Sequence, residues 1–340
     1  MKNTLTYDDV LLLPQYSDIR TRTDVDISTN LGKGLELFLP IIASPMDTVS
    51  EWEMAKAMSY SGGTAIIHRY NNWEQQCSMI KDAVTAGAKI VGAAVGISGD
   101  YLKRSEMCLQ AGASFICVDV AHGHHILMKE ALSDLRKHLG DKVHIMAGNV
   151  ATVEGVNDLS DWGADSVRCN IGGGSICSTR VQTGHGLPGL QTIIDCAKTD
   201  RDVKIIADGG IRNAGDIVKA LAAGAHAVMC GSLLAGTAET PGNVFTDDRG
   251  FKFKTYRGMA SKEAQKDWRG KYSSFEGVAT KVPYRGPAAS ILSDLGRNIR
   301  SGLSYSGSRS LGQLRDKAQF VKQTSSGLSE SRTHILARNW

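Results

Sequence analysis

No run in this 340-residue chain is long and apolar enough to span a bilayer, and no block of lysines or arginines stands out. The first absence argues against a membrane protein. The second, with a formal net charge of only +4, leaves no electrostatic footprint for nucleic acid. The seven cysteines are odd in number and lack the paired spacing of a metal site or a disulfide framework. Met1-Lys2-Asn3-Thr4 opens into a polar, strand-like segment and not into an apolar signal core. Together these absences predict free thiols in a reducing cytoplasm. Cys117, Cys169 and Cys230 fall inside apolar runs, where a thiol packs as a small hydrophobe.

What is present is the composition of a globular protein, 42% hydrophobic and 22% charged, at a length that allows a sizeable core. Eight short β-prone apolar runs recur, at 40–46, 64–68, 89–95, 114–119, 143–147, 165–171, 203–207 and 226–230. Helix-period segments lie between them, among them 72–86, 123–139, 153–162 and 213–223, and a last one spans 287–302. Strands separated by helices pair in parallel through right-handed crossovers. Eight such units predict an α/β fold, a closed (β/α)8 TIM barrel across residues 1–340. An open doubly wound sheet is the alternative.

A barrel places its functional groups after the strands, at the C-terminal face. Polar and glycine residues stand there in turn: Ser44-Pro45-Met46-Asp47, His68-Arg69, Asp119-Val120-Ala121, Ala147-Gly148-Asn149, Asp208-Gly209-Gly210 and Gly231-Ser232. After the sixth run comes Ile171-Gly172-Gly173-Gly174-Ser175-Ile176-Cys177-Ser178-Thr179-Arg180. Three glycines let backbone N–H groups face an anion. A thiol beside such dipoles and an arginine is expected to ionise readily and act as a nucleophile. The plainer reading is a flexible loop holding a buried cysteine. The glycine turns after the seventh and eighth runs occupy the usual phosphate corner of this fold, with Ser175 able to add a hydroxyl and Asp208 to accept from ribose.

Residues 233–285 are too long for a simple connection and read as a lid over the mouth. Glu276 within them is either a general acid/base or a solvated loop acid. Residues 303–340 form a polar tail with apolar anchors at Leu311, Leu314, Phe320 and Val321. Packing on the barrel and reaching a neighbouring subunit both stay open for that tail.

Tyr7-Asp8-Asp9-Val10-Leu11-Leu12, Met46-Asp47-Thr48-Val49, Ala147-Gly148-Asn149-Val150, the Gly174–Arg180 loop, Ala207-Asp208-Gly209-Gly210-Ile211 and Tyr256-Arg257-Gly258-Met259 resemble the IMP dehydrogenase / GMP reductase family, in collinear order. The resemblance implies that Cys177 attacks C2 of a purine nucleoside monophosphate to give a thioimidate, with Thr179 and Glu276 relaying a proton. It implies that Asp208 holds the ribose, and that Ser175, Gly209, Gly210, Gly231, Ser232 and Tyr256 hold the phosphate. Gly258, Met259, Ala260, Glu276 and Gly277 then meet the base. Asp119, Val120, Ala121 and Gly172 line the nicotinamide side. Thr21, Arg22, Arg69, and Ser301-Gly302 of a neighbouring subunit are candidates for the rest of the dinucleotide. Potassium is implied at carbonyls of Gly172, Gly174 and Cys177, with Arg180 in the same group, and a homotetramer is implied as in relatives.

Within the family, the resemblance points to NADPH-dependent reductive deamination of GMP to IMP. IMP oxidation with NAD+ by a protein lacking the regulatory CBS pair is the alternative, and a silent nucleotide-binding barrel a third reading. Dehydrogenases typically carry that inserted pair after the second barrel helix, and an Arg-Tyr pair in the flap to activate water. Only residues 72–86 separate the second and third runs here, and Trp268-Arg269-Gly270-Lys271-Tyr272 holds no adjacent Arg-Tyr. Losing a general base costs hydrolysis about 10²–10⁴-fold, whereas reduction needs none. Arg22 and Arg69 are the cations offered to a 2′-phosphate, which favours NADPH over NADH. Gly173 stands where the family usually has proline.

Overall fold

A computed structural model describes residues 3–333; residues 334–340, the end of the expected tail, lie outside the described residues. Eight strands close into a barrel: β1 Ile41–Ala43, β2 Thr64–Ile67, β3 Val91–Val95, β4 Phe115–Asp119, β5 His144–Val150, β6 Ser166–Cys169, β7 Lys204–Asp208 and β8 Ala227–Cys230. All pairs are parallel, and β8 returns to β1 with Val228 opposite Ile41. Each expected run is therefore a strand, and ring closure rules out the open sheet.

The surrounding helices are α1 Trp52–Tyr60, α2 Trp73–Thr85, α3 Tyr101–Gln110, α4 Ile126–Leu139, α5 Val153–Asp161, α6 Gly189–Cys196, α7 Ala214–Ala222 and α8 Ala288–Tyr305. Local chemistry sets their starts. Asn72 and Gln75 form a capping box ahead of α2, and Thr152 and Asn213 accept first-turn N–H groups of α5 and α7. The helix expected from residue 123 begins at Ile126, because His125 accepts the Leu127 N–H and becomes its cap.

Side chains alternate between two apolar layers. Ile42, Ile66, Ala94, Cys117, Met146, Ile206 and Met229 fill the barrel interior, while Ile41, Ala43, Ala65 and Ile67 pack under the helices. With both faces dry, the strands read as continuous apolar runs. A hairpin pairing Thr29–Asn30 with Glu36–Leu37 closes the base, sending Leu31, Leu35 and Leu37 into the inner layer.

The lid segment is more ordered than its polar sequence suggests. Phe245–Thr246, Lys252–Arg257 and Ala279–Pro283 form a three-stranded antiparallel sheet, and Lys262–Arg269 forms a flap helix. Arg257 ties this flap to the loop after β1 through Asp47 at 2.6 Å, and bonds Asp267 of the flap helix as well. Trp268 stacks on Tyr70, ring centroids 5.9 Å apart. The described part of the tail turns back on the barrel: Leu311 and Leu314 are buried, and Phe320–Lys322 pairs antiparallel with Val10–Leu12. Among the described residues no helix is long and apolar enough to cross a membrane.

Candidate active site

The C-terminal mouth of the barrel holds a cavity of about 320 Å³, walled by the ends of every strand except β3 and roofed by the flap. Cys177 faces it, and is the exposed cysteine of the seven; the other six are buried. That disposes of the reading in which the glycine loop merely encloses a core thiol. The loop is fastened to the flap by backbone bonds: Ser178 N–H to the Glu276 carbonyl at 2.8 Å, and Val278 N–H to the Ile176 carbonyl at 3.0 Å.

The same fastening brings Glu276 to the sulfur. Thr179 Oγ1 lies 3.1 Å from Cys177 Sγ and donates to Glu276 Oε2 at 2.7 Å. With its own proton directed at the carboxylate, the hydroxyl accepts from the thiol, so the three groups form a path for a proton from sulfur to carboxylate. Arg180 also holds the loop together. Its guanidinium donates to the Ile171 and Leu187 carbonyls, and its own carbonyl accepts the Gly184 N–H. It braces the loop from behind, while Gly172, Gly174 and Cys177 line the cavity. Among the described residues no three His, Cys, Asp or Glu side chains cluster for a metal.

The residues expected to hold a phosphate lie together. Ser175, Gly209, Gly210, Gly231, Ser232 and Tyr256 all line the cavity. Gly209 and Gly210 both have φ near +75°, at +77° and +73°, which turns this backbone sharply under the Cys loop. Burial pushes the Tyr256 hydroxyl, beside Ser175, up to about 12, so it stays neutral. A Cβ on Gly231 would lie 2.8 Å from the Tyr256 hydroxyl, so only glycine leaves that oxygen room. Gly258, Met259, Ala260, Glu276 and Gly277 supply the flap wall.

Asp119, Val120, Ala121, Gly172 and Arg69 line the opposite side. Arg69 donates through Nη2 to the Asp119 carbonyl at 3.1 Å, while its buried Nε makes no hydrogen bond and has Asp119 Oδ2 at 3.8 Å. An orphaned buried N–H is costly, so this wall suits a ligand that brings an acceptor, such as a nicotinamide carboxamide. The remaining expected residues are elsewhere. Thr21 and Arg22 are exposed at a short turn away from the cavity. Ser301 and Gly302 lie in α8, where Gly302 packs against Val218 and borders a second cavity of about 450 Å³ with Pro14, Lys219 and Tyr305. One chain alone does not bring these four to the mouth.

Sequence reading passed over Arg168. It sits in β6 at 6% exposure, reaching Asp119 Oδ1 at 2.5 Å and Asp208 Oδ2 at 2.7 Å. Burial alone would push its guanidinium down, yet Asp208 and Asp119 hold it well above its ordinary value. The available signal was a lone charge inside an apolar strand, which demands partners. Asn149, placed at the functional face but given no role, bonds Asp208 Oδ2 through its amide at 2.8 Å.

By fold the chain is a (β/α)8 barrel with a cysteine-bearing cavity at its C-terminal mouth. Residues 4–334 match the model of the IMP dehydrogenase / GMP reductase domain. The chain is 33% identical to inosine-5′-monophosphate dehydrogenase of Nitrosopumilus maritimus, over 98% of both chains. It is 32% identical to GMP reductase of Leishmania donovani, over 98% of this chain and 97% of that one. A solved GMP reductase from Trypanosoma brucei, a cysteine variant in complex with guanosine 5′-monophosphate, superposes with a TM-score of 0.93 at 30% identity, covering 98% of each chain. The chain belongs to the IMP dehydrogenase / GMP reductase family.

One expectation is corrected by these relatives. The alignments with the Nitrosopumilus dehydrogenase and the Leishmania reductase run over 470 and 479 positions, against 340 residues here. Relatives of both names therefore carry inserted residues absent from this chain, and the missing insertion does not separate the two activities.

Proposed function

We propose that this protein is a GMP reductase. Cys177 Sγ adds to C2 of GMP, its proton having passed through Thr179 to Glu276. The C2–N bond then breaks, and the relay returns the proton to the departing ammonia. NADPH, when bound, would supply hydride to C2; as the C2–S bond breaks its electron pair stays on Cys177 Sγ, which regains a proton from solvent, and IMP is released. Asp208 takes the ribose hydroxyls, and the Gly209-Gly210, Gly231-Ser232, Ser175 and Tyr256 corner takes the 5′-phosphate.

The observation that carries the choice of reductase is the flap's lack of a water-activating pair. Its Tyr272 ring lies between Lys262 and Lys266 on the flap helix, 5.4 Å from each ammonium, and is not part of the cavity wall. The second reading, an IMP dehydrogenase acting with NAD+, is favoured by the near-equal identity to relatives of that name. Protein mixed with GMP and NADPH is expected to consume the reduced-nicotinamide absorbance and yield IMP and ammonia. A signal that rises with IMP and NAD+ while GMP and NADPH stay inert overturns the assignment.

NADPH is preferred on the strength of Arg22 as a partner for a 2′-phosphate, since Arg69, also a candidate by sequence, lies beside Asp119 on the wall given to the nicotinamide. Turnover with NADH is expected to be at least tenfold poorer, the scale of one charge-assisted hydrogen bond; equal turnover removes the preference. A potassium ion, if one is used, is held by the carbonyls of Gly172, Gly174 and Cys177. We extend the reading to a cytoplasmic homotetramer, supported by the exposed apolar Leu11, Leu13, Tyr16 and Tyr305 near the second cavity, with mass by light scattering as the check.

A further inference from the structure

Arg168 lies between the two halves of the mouth and touches both. On one side its Nε and Nη2 converge on a single oxygen, Asp208 Oδ2, at 2.9 and 2.7 Å. Asn149 adds a third donor to that oxygen at 2.8 Å, so Asp208 Oδ1 is left for a ligand. On the other side Nη1 takes Asp119 Oδ1 at 2.5 Å, leaving Oδ2 toward Arg69. Asp119 and Arg168 are on strands that are not neighbours. Between them, in register with both, stands Gly148 of β5. A Cβ there would come within 2.6 Å of Arg168 Cβ, so the missing side chain opens the route from β6 to β4.

We propose that Arg168 is a positioning residue that couples nucleotide binding to the cofactor side by holding Asp208 and Asp119 on one rigid guanidinium. The proposal rests on the functional reading above. A guanidinium is planar, so rotation that improves its bond to one carboxylate displaces the other. A ligand that fixes Asp208 therefore sets Asp119 as well. Both carboxylates commit one oxygen to this cation and keep the other, as expected if it orients them for use. A lysine in its place has one ammonium and no fork.

The test is a double-mutant cycle read by GMP binding in the absence of cofactor. Asp119→Asn alters only the far side, yet it is expected to weaken GMP about five- to tenfold in the wild-type background. In the Arg168→Met background the same change is expected to move GMP affinity less than twofold. In steady state Arg168→Met is expected to raise KM for both GMP and NADPH about tenfold or more, with a smaller fall in kcat. Arg168→Lys is expected to recover part of this loss. A merely structural role would reduce the active fraction, lowering kcat and leaving KM alone. Equal effects of Asp119→Asn in both backgrounds, or no effect in the wild type, overturn the coupling. If Arg168→Met does not fold, Arg168→Lys carries the same cycle, with the Asp119→Asn effect expected to shrink. Wild-type protein that binds neither GMP nor IMP removes the functional reading and this inference with it.

Discussion

At the scale of single residues the chemistry rests on a hydroxyl placed between a sulfur and a carboxylate. Thr179 contacts Cys177 two positions away and Glu276 at a separation of 97. Replacing Glu276 by Gln keeps a hydrogen-bonding group beside Thr179 but removes the proton acceptor. The expected result is a fall in kcat of about 10²–10⁴-fold with GMP affinity within about threefold, measured by turnover and calorimetry. Loss of binding instead of turnover would place Glu276 in recognition. The local half of this relay was legible because a glycine loop ahead of a cysteine and two hydroxyls announces itself. The distant half was legible only through the family resemblance, since by itself nothing in residues 270–278 distinguishes Glu276 from a solvated acid until Ser178 N–H bonds its carbonyl. Arg168 escaped for a related reason. Its partners sit 49 and 40 positions away, and only barrel closure brings them within reach.

Among the elements, the Cys loop shows how a departure from a family pattern, Gly173 for proline, fits its surroundings. A Cβ on Gly173 would lie 2.0 Å from the Asn170 amide nitrogen, so the space a larger residue needs is already filled. Asn170 itself has φ of +152°, a strained backbone for a residue with a side chain, and its amide reaches the Gly209 carbonyl at 3.4 Å. Gly173→Ala alone is expected to displace the loop and cut kcat/KM at least tenfold, the order of one misplaced active-site contact. Asn170→Gly in the same chain is expected to restore most of it; a double variant no better than the single one refutes the pairing. The barrel strands were readable because each is a short apolar run bounded by turns. The flap sheet was not, because Lys252–Arg257 and Ala279–Pro283 alternate weakly and find each other only across the intervening helix.

For the molecule as a whole, acid is the expected weakness. Burial pushes the His144 ring, 1% exposed at the base of the barrel, down to about 4, and the ring is held by Ser166 at 2.8 Å. The unfolded chain takes up that proton near about pH 6.5, so the contribution is complete above that pH and drains as pH falls toward 4. The loss is roughly 1.4 kcal/mol per pH unit for this one group. His226, also pushed by burial to about 4, adds to the same trend. His144→Gln is expected to flatten the decline of urea-unfolding free energy between about pH 6.5 and 4.5 by that amount; an unchanged slope would mean that other groups govern it. The floor beneath that histidine has a further effect. With Leu31, Leu35 and Leu37 stoppering the bottom, the barrel is a cul-de-sac. Everything that arrives must depart by the doorway it came through.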